Sequence, residues 1–134
     1  MPRPSAVLLA LLPVLAGLGA GCGTASDPVR VEIRIHYSHF EPAAFSVPHG
    51  VPVTFVLINE DPIDHEFLIG DEPFHERHRH GTEAQHGARP NEVSIAALAT
   101  IETTLVFDAP GTVRYICHLP SHESYGMVGT LTIT

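Results

Sequence analysis

Near the end of the chain, Cys117, His122 and Met127 follow one another as Cys-x4-His-x4-Met. A thiolate, an imidazole and a thioether on one short segment are three metal donors of different softness. Pro120 and Gly126 supply the turns that let such a segment double back and aim its side chains at one point. A fourth donor must come from elsewhere, and His65 is the best placed. It lies after the break Asn59-Glu60-Asp61-Pro62 and before the apolar Phe67-Leu68-Ile69. Two His, one Cys and a weak axial Met form the donor set of electron-transfer copper sites. Thiolate favours Cu(I), imidazole serves both oxidation states, and the thioether adjusts the potential. Zinc also accepts thiolate and imidazole, but thioether suits it poorly. Taken singly, each residue has a plainer reading: Cys117 and Met127 as core, His122 as surface. The ordered set carries the signal.

The elements around these residues must hold them. Val29 to Tyr37 alternates apolar and polar residues, as a half-buried strand does, with His36 on the polar face. Phe45 to Val47 is a short strand, and Pro48-His49-Gly50 a turn. Val51 to Asn59 is β-branched and aromatic, with apolarity continuous enough for burial on both faces. Pro52 puts its start at an edge or bulge. Glu66–Ile69, Val93–Ile95, Ile101–Phe107, Thr112–Cys117 and Val128–Thr134 follow. In the last of these Leu131 and Ile133 face inward. Seven or eight short strands, turn signals and no amphipathic helix predict an all-β, antiparallel Greek-key β-sandwich. Cys117 then ends one strand and Met127 begins the next. Gly70 to Asn91 lacks a strand pattern, and loops of that length are usually functional or mobile.

The chain has 134 residues, which suits one domain. Its 44% apolar content supports a packed core. The net charge of −8, with ten His held neutral, disfavours nucleic acid as a partner, because phosphate binding needs clustered Lys and Arg. Two Cys cannot staple a disulfide miniprotein. Residues 1–21 carry a positive start at Arg3, an uncharged run from Ala6 to Leu18 and the small residues Gly19-Ala20-Gly21. This reads as an export signal. The run is shorter than the roughly 20 residues a membrane span needs.

Small residues ending in Cys22 resemble the lipobox of bacterial lipoproteins, although Gly19 stands where that pattern usually has Leu. The resemblance implies lipidation of Cys22, a tether over residues 22–28 and a membrane-anchored domain facing the periplasm or the extracellular side. Ordinary cleavage and an uncleaved anchor are the alternatives. In an exported chain a free Cys117 would oxidise unless protected, and copper ligation would protect it.

Residues 29–134 resemble the cupredoxin family, of which plastocyanin and azurin are members. The resemblance runs through Phe40-Glu41-Pro42, Val47-Pro48-His49-Gly50, Val53 to Asn59, His65-Glu66-Phe67, and Tyr115 to Met127 with Gly129. It implies one type 1 copper held strongly by His65, Cys117 and His122 and weakly by Met127. Asn59 is expected to help fix the His65 loop. Two positions depart from the pattern. Glu66 stands where plastocyanin and azurin have an Asn that braces the Cys segment, and Ser121 where many relatives have Gly.

The function expected is one-electron transfer between redox protein partners by a monomeric, non-enzymatic carrier outside the cytoplasm. The rival is a copper carrier or chaperone. Cys117-His118 with His122 and Met127 also fits the multicopper oxidase pattern, but that architecture needs two domains and several His-x-His pairs. Here only His78-Arg79-His80 is such a pair. His118 is expected to point away from the ligand direction of Cys117. His75, His78, His80 and His86, with Glu72, Glu76 and Glu83, read first as a solvated loop. An auxiliary Cu or Zn site and a docking surface are the alternatives. His36, His39 and His49 read as surface residues without a role.

Overall fold

A computed structural model describes residues 28–81 and 89–134. Among them are nine strands and one short helix. The strands are β1 (Val29–His36), β2 (His39–Glu41), β3 (Ala44–Val47), β4 (Pro52–Asn59), β5 (His65–Gly70), β6 (Glu92–Ile95), β7 (Thr100–Val106), β8 (Gly111–Ile116) and β9 (Val128–Ile133). The helix α1 (Glu72–Arg79) follows β5. One sheet runs β2-β1-β4-β7, the other β3-β9-β8-β5-β6. The expected β-sandwich is present, with β2 as a strand the sequence reading omitted.

The sheets are mixed rather than antiparallel throughout. β1 pairs with β4 in parallel, Ile33 opposite Leu57 and Ile35 opposite Asn59. β3 pairs with β9 in parallel, Phe45 opposite Leu131. The cause is the path of the chain. After β1 and β2 it crosses to the second sheet as β3, then returns to the first as β4. A crossover of this kind lets a strand re-enter beside an earlier one in the same direction.

Alternation decides which residues fill the space between the sheets. Ile33 and Ile35 of β1 are fully buried while Arg34 and His36 face out. In β4, Phe55, Val56 and Leu57 are buried consecutively, as their continuous apolarity predicts. Phe40, Phe67 and Tyr115 meet as an aromatic cluster with centroids 5.2–6.1 Å apart, within the range of favourable ring contacts. The Tyr115 hydroxyl donates to the Pro42 carbonyl at 2.7 Å. Gly129 makes room for this ring: a Cβ there would stand 2.0 Å from Tyr115 Cζ.

The stretch after β5 is not a plain loop. Asp71 caps α1 by accepting from the Phe74 amide at 2.9 Å, and Pro73 lies in the first turn. Glu72 opens the helix, and Arg77, His78 and Arg79 close it, the favourable sense for the helix dipole. Phe74, His75 and His78 face inward. Gly70 lets Phe74 lie against β5, since a Cβ there would be 2.5 Å from the ring. No helix among the described residues is long and apolar enough to cross a membrane.

Candidate metal centre

His65 opens β5, just beyond the break at the end of β4. Two buried residues in and beside that break fix it. The Asn59 amide donates to the carbonyls of Ile63 at 2.8 Å and Ala96 at 2.9 Å. Its oxygen accepts from the Asp61 amide at 3.0 Å. This is the loop-fixing role expected of Asn59. Asp61 in turn accepts from the amides of Tyr37 at 2.8 Å and Ser38 at 2.7 Å, and from His65 Nε2–H at 2.9 Å. A carboxylate can only accept, so His65 carries its proton on Nε2 and presents Nδ1 as a lone pair. Burial alone would raise the Asp61 carboxyl, but these donors overcome it and hold the group below its usual range. The sequence reading passed over Asp61 as part of a chain break. A carboxylate four residues before a candidate His ligand was the available signal.

Cys117 follows β8, and the loop from His118 to Met127 folds back on itself. The amides of His122, Tyr125 and Gly126 donate to the carbonyls of Leu119, Ser121 and Glu123 at 3.0 Å each. The Met127 amide donates to the His122 carbonyl at 3.0 Å, and the Cys117 amide to the Met127 carbonyl at 3.2 Å. The turn needs two left-handed residues, Ser121 at φ 71° and Gly126 at φ 97°. A Gly before the second His would avoid the side-chain penalty that Ser121 bears there.

The donors converge. His122 Nδ1 lies 3.2 Å from Cys117 Sγ and 3.3 Å from His65 Nδ1. Donor atoms from these three residues lie within 4.8 Å of one another. Cys117, His65 and Met127 are buried, and His122 is partly exposed. The Glu66 amide donates to Cys117 Sγ at 3.4 Å. This backbone contact to the sulfur does not depend on the side chain at 66. Burial pushes the Cys117 thiol up to about 11, against the opposing backbone donors of Leu119 and Glu66. Burial also lowers His122, with the neighbouring His65 adding to it. Two Nδ1 lone pairs and a thiol aimed at one small volume suit a cation that takes both imidazole and thiolate.

The model of the family described as "Copper binding proteins, plastocyanin/azurin family" matches residues 28–134. The chain belongs to this family. Two curated relatives share the name copper-resistant cuproprotein CopI. The protein from Rubrivivax gelatinosus is 35% identical over 98 residues, covering 70% of this chain and 59% of that one. The protein from Pseudomonas aeruginosa is 28% identical, covering 77% and 75%. This cupredoxin therefore spans little more than half the length of the Rubrivivax relative. Among solved structures, auracyanin from Roseiflexus castenholzii superposes with a TM-score of 0.67 at 21% identity, covering 79% of this chain and 97% of its own. Auracyanin A from Chloroflexus aurantiacus gives 0.64 at 24%, covering 80% and 99%. At those identities the likeness shows the fold. The cofactor of this cupredoxin is copper, and the His-Cys-His cluster fits one type 1 ion.

The four loop histidines of the sequence reading separate. His75 and His78 face inward from α1, at 0% and 7% exposure, so a solvated loop does not describe them. His80 is exposed and pairs with Glu76 at 3.0 Å. His86 lies outside the described residues, as do Cys22 and the export signal. The helix escaped notice because its buried face holds two imidazoles rather than aliphatic side chains. Asp71, Pro73 and the acidic-to-basic order of charges were the legible signals. His118 does point away from the copper donors, toward His75. Arg79 pairs with Glu123 at 2.7 Å and with Glu76 at 2.9 Å, tying α1 to the ligand loop.

Proposed function

We propose that this cupredoxin is an exported electron carrier whose single type 1 copper is held by His65, Cys117 and His122, with Met127 as the weak axial donor. The carrying observation is that each strong donor is already oriented by the protein. Asp61 sets the His65 tautomer. The Glu66 and Leu119 amides address the Cys117 sulfur. The hydrogen-bonded turn from Leu119 to Met127 seats His122 between them. Copper supplies a one-electron couple when bound. The chain's part is to keep the donors in place through that change and to exclude water with buried Met127 and the aromatic cluster of Phe40, Phe67 and Tyr115. A site that moves little between oxidation states exchanges electrons with little reorganisation.

A second reading is copper handling rather than electron shuttling. It is favoured by the name of the relatives, copper-resistant cuproprotein. Both readings place the domain outside the cytoplasm, with the N-terminal sequence as an export signal and Cys22 as the lipidated anchor of a monomer. Redox protein partners belong to the first reading alone.

The test is the optical and EPR spectrum of the copper-loaded protein. A short Cu–thiolate bond gives an intense visible charge-transfer band, and Cys117→Ser should abolish it. A colourless copper-loaded wild type would overturn the type 1 assignment.

A further inference from the structure

On the side of Cys117 away from the copper donors lies a second group of imidazoles. His75 Nδ1 stands 2.9 Å from His118 Nε2. His75 Nε2 is 3.1 Å from the Arg114 carbonyl and must donate its hydrogen there, which leaves Nδ1 as a lone pair. His118 Nδ1 faces Glu123 Oε2 at 3.4 Å. A neutral His118 has one proton for two acceptors. Placed toward Glu123, it leaves two imidazole lone pairs facing each other at 2.9 Å. Placed toward His75, it leaves a lone pair 3.4 Å from the Glu123 carboxylate, whose charge Arg79 already pairs. A cation between the two nitrogens removes the conflict. The outer nitrogens then face the acceptors that metal-bound histidines commonly use, a carbonyl and a carboxylate.

We propose that His75 Nδ1 and His118 Nε2 clamp a second, exchangeable Cu(II), separate from the type 1 centre. The spacing suits this cation. Two nitrogens 2.9 Å apart, each about 2.0 Å from a shared ion, subtend about 90°. That is close to the cis angle of a tetragonal site, which Cu(II) prefers. His75 is fully buried and the His118 side chain nearly so, so any further donor must enter from the His118 side. A pocket of about 240 Å³ lined by His78, Arg79, His118, Ser121 and Glu123 reaches the His118 member of the pair. His78 stacks on the His118 ring with centroids 5.8 Å apart, and its Nδ1 donates to the Phe74 carbonyl at 2.8 Å. Its ring holds His118 in place from the helix side. Among the described residues only His65, Cys117 and His122 bring three such donors together. The new site is therefore a two-imidazole clamp, weaker than the first.

The test titrates the full-length protein, already carrying one equivalent of copper, with further Cu(II) at pH 7.5. The bound metal is followed by calorimetry and EPR. A second equivalent should bind with a tetragonal signal and add no thiolate charge-transfer intensity. His75→Gln should weaken that equivalent at least tenfold and leave the type 1 band intact. His80→Gln, on the exposed side of the same helix, should change neither. Absence of a second equivalent, its survival in His75→Gln, or its loss in His80→Gln would each overturn the proposal. Should His75→Gln fail to fold, pulsed EPR of the wild type at the low-field lines of the second copper decides. Two coupled imidazoles are expected there, and one or none overturns the clamp.

Discussion

At Asp61 a single carboxylate serves three donors, the amides of Tyr37 and Ser38 and the ring of His65. Asp61→Asn keeps the size but loses the charge and one acceptor site. Copper affinity should fall about 10–100-fold, the usual loss when the group behind a ligating His is altered, with the visible band retained. Competition with a chromophoric chelator measures this, and an unchanged affinity would remove Asp61 from the site's support. Met127 acts differently. Met127→Leu should retain copper and colour but raise the potential, because a donor that favours Cu(II) is lost. His122→Ala should weaken binding far more. Equal copper loss in the two variants would show that Met127 is not a weak axial donor. Ser121 offers a third check. Its φ of 71° costs a side-chain-bearing residue about 1 kcal/mol relative to Gly. Ser121→Gly should therefore raise stability by up to about 1 kcal/mol with no change in spectrum, measured by chemical denaturation.

The β8–β9 pair carries the site and α1 lies beside it, and each depends on a close approach to a glycine. β8 and β9 bring Cys117 and Met127 together through a ladder that runs from Gly111 opposite Ile133 to Ile116 opposite Val128. The Tyr115 ring lies directly over Gly129 in that ladder. Gly129→Ala should cost about 1–3 kcal/mol, since the buried ring has no free space to enter. The same shift should disturb the copper band, because the next pair in the ladder, Ile116 and Val128, leads directly to Cys117 and Met127. Thermal melts and spectra of one sample test both effects. The other element is α1, whose only side-chain cap is Asp71. Asp71→Ala should cost about 1 kcal/mol and loosen His75 and His78 without altering the type 1 band. Loss of that band would mean that α1 supports the first centre as well.

Over the whole molecule the donors are positioned by contacts that involve no metal: the Asn59 and Asp61 network, the loop hydrogen bonds and the core between the sheets. Copper at a hundredfold excess over its Kd should therefore raise the unfolding free energy by about 2.7 kcal/mol while leaving the far-UV circular dichroism unchanged. A gain of strand signal on copper addition would show that the metal builds the site instead of filling it. The proposed anchor at Cys22 is tested at the same scale. Cys22→Ser should move the protein from the membrane fraction to the soluble one and spare the copper spectrum. Acyl methylenes contribute about 0.8 kcal/mol each to membrane binding, so loss of the chains removes the attachment.

The convergence of Cys117 and His122 with His65, the place of Met127 at the start of β9, and most of the strands were legible along the chain. Most of these features are local. Ligands on one turn lie close along the chain, and a two-residue alternation such as Ile33-Arg34-Ile35-His36 shows its buried face directly. The likeness to plastocyanin and azurin also showed that Asn59 would matter. The direction of the strands, by contrast, was set by the three-dimensional path of the chain. The direction of β4 beside β1 depends on which sheet β3 joins, and no local pattern encodes that choice. Asp61 gained its role from Tyr37, Ser38 and His65 converging on it from two separate segments of the chain. The histidines after β5 were decided in the same way. A helix whose inner face is Phe74, His75 and His78 reads as polar in one dimension. It became a buried face because Gly70 admits Phe74 against the sheet and His118 receives His75 from across the fold.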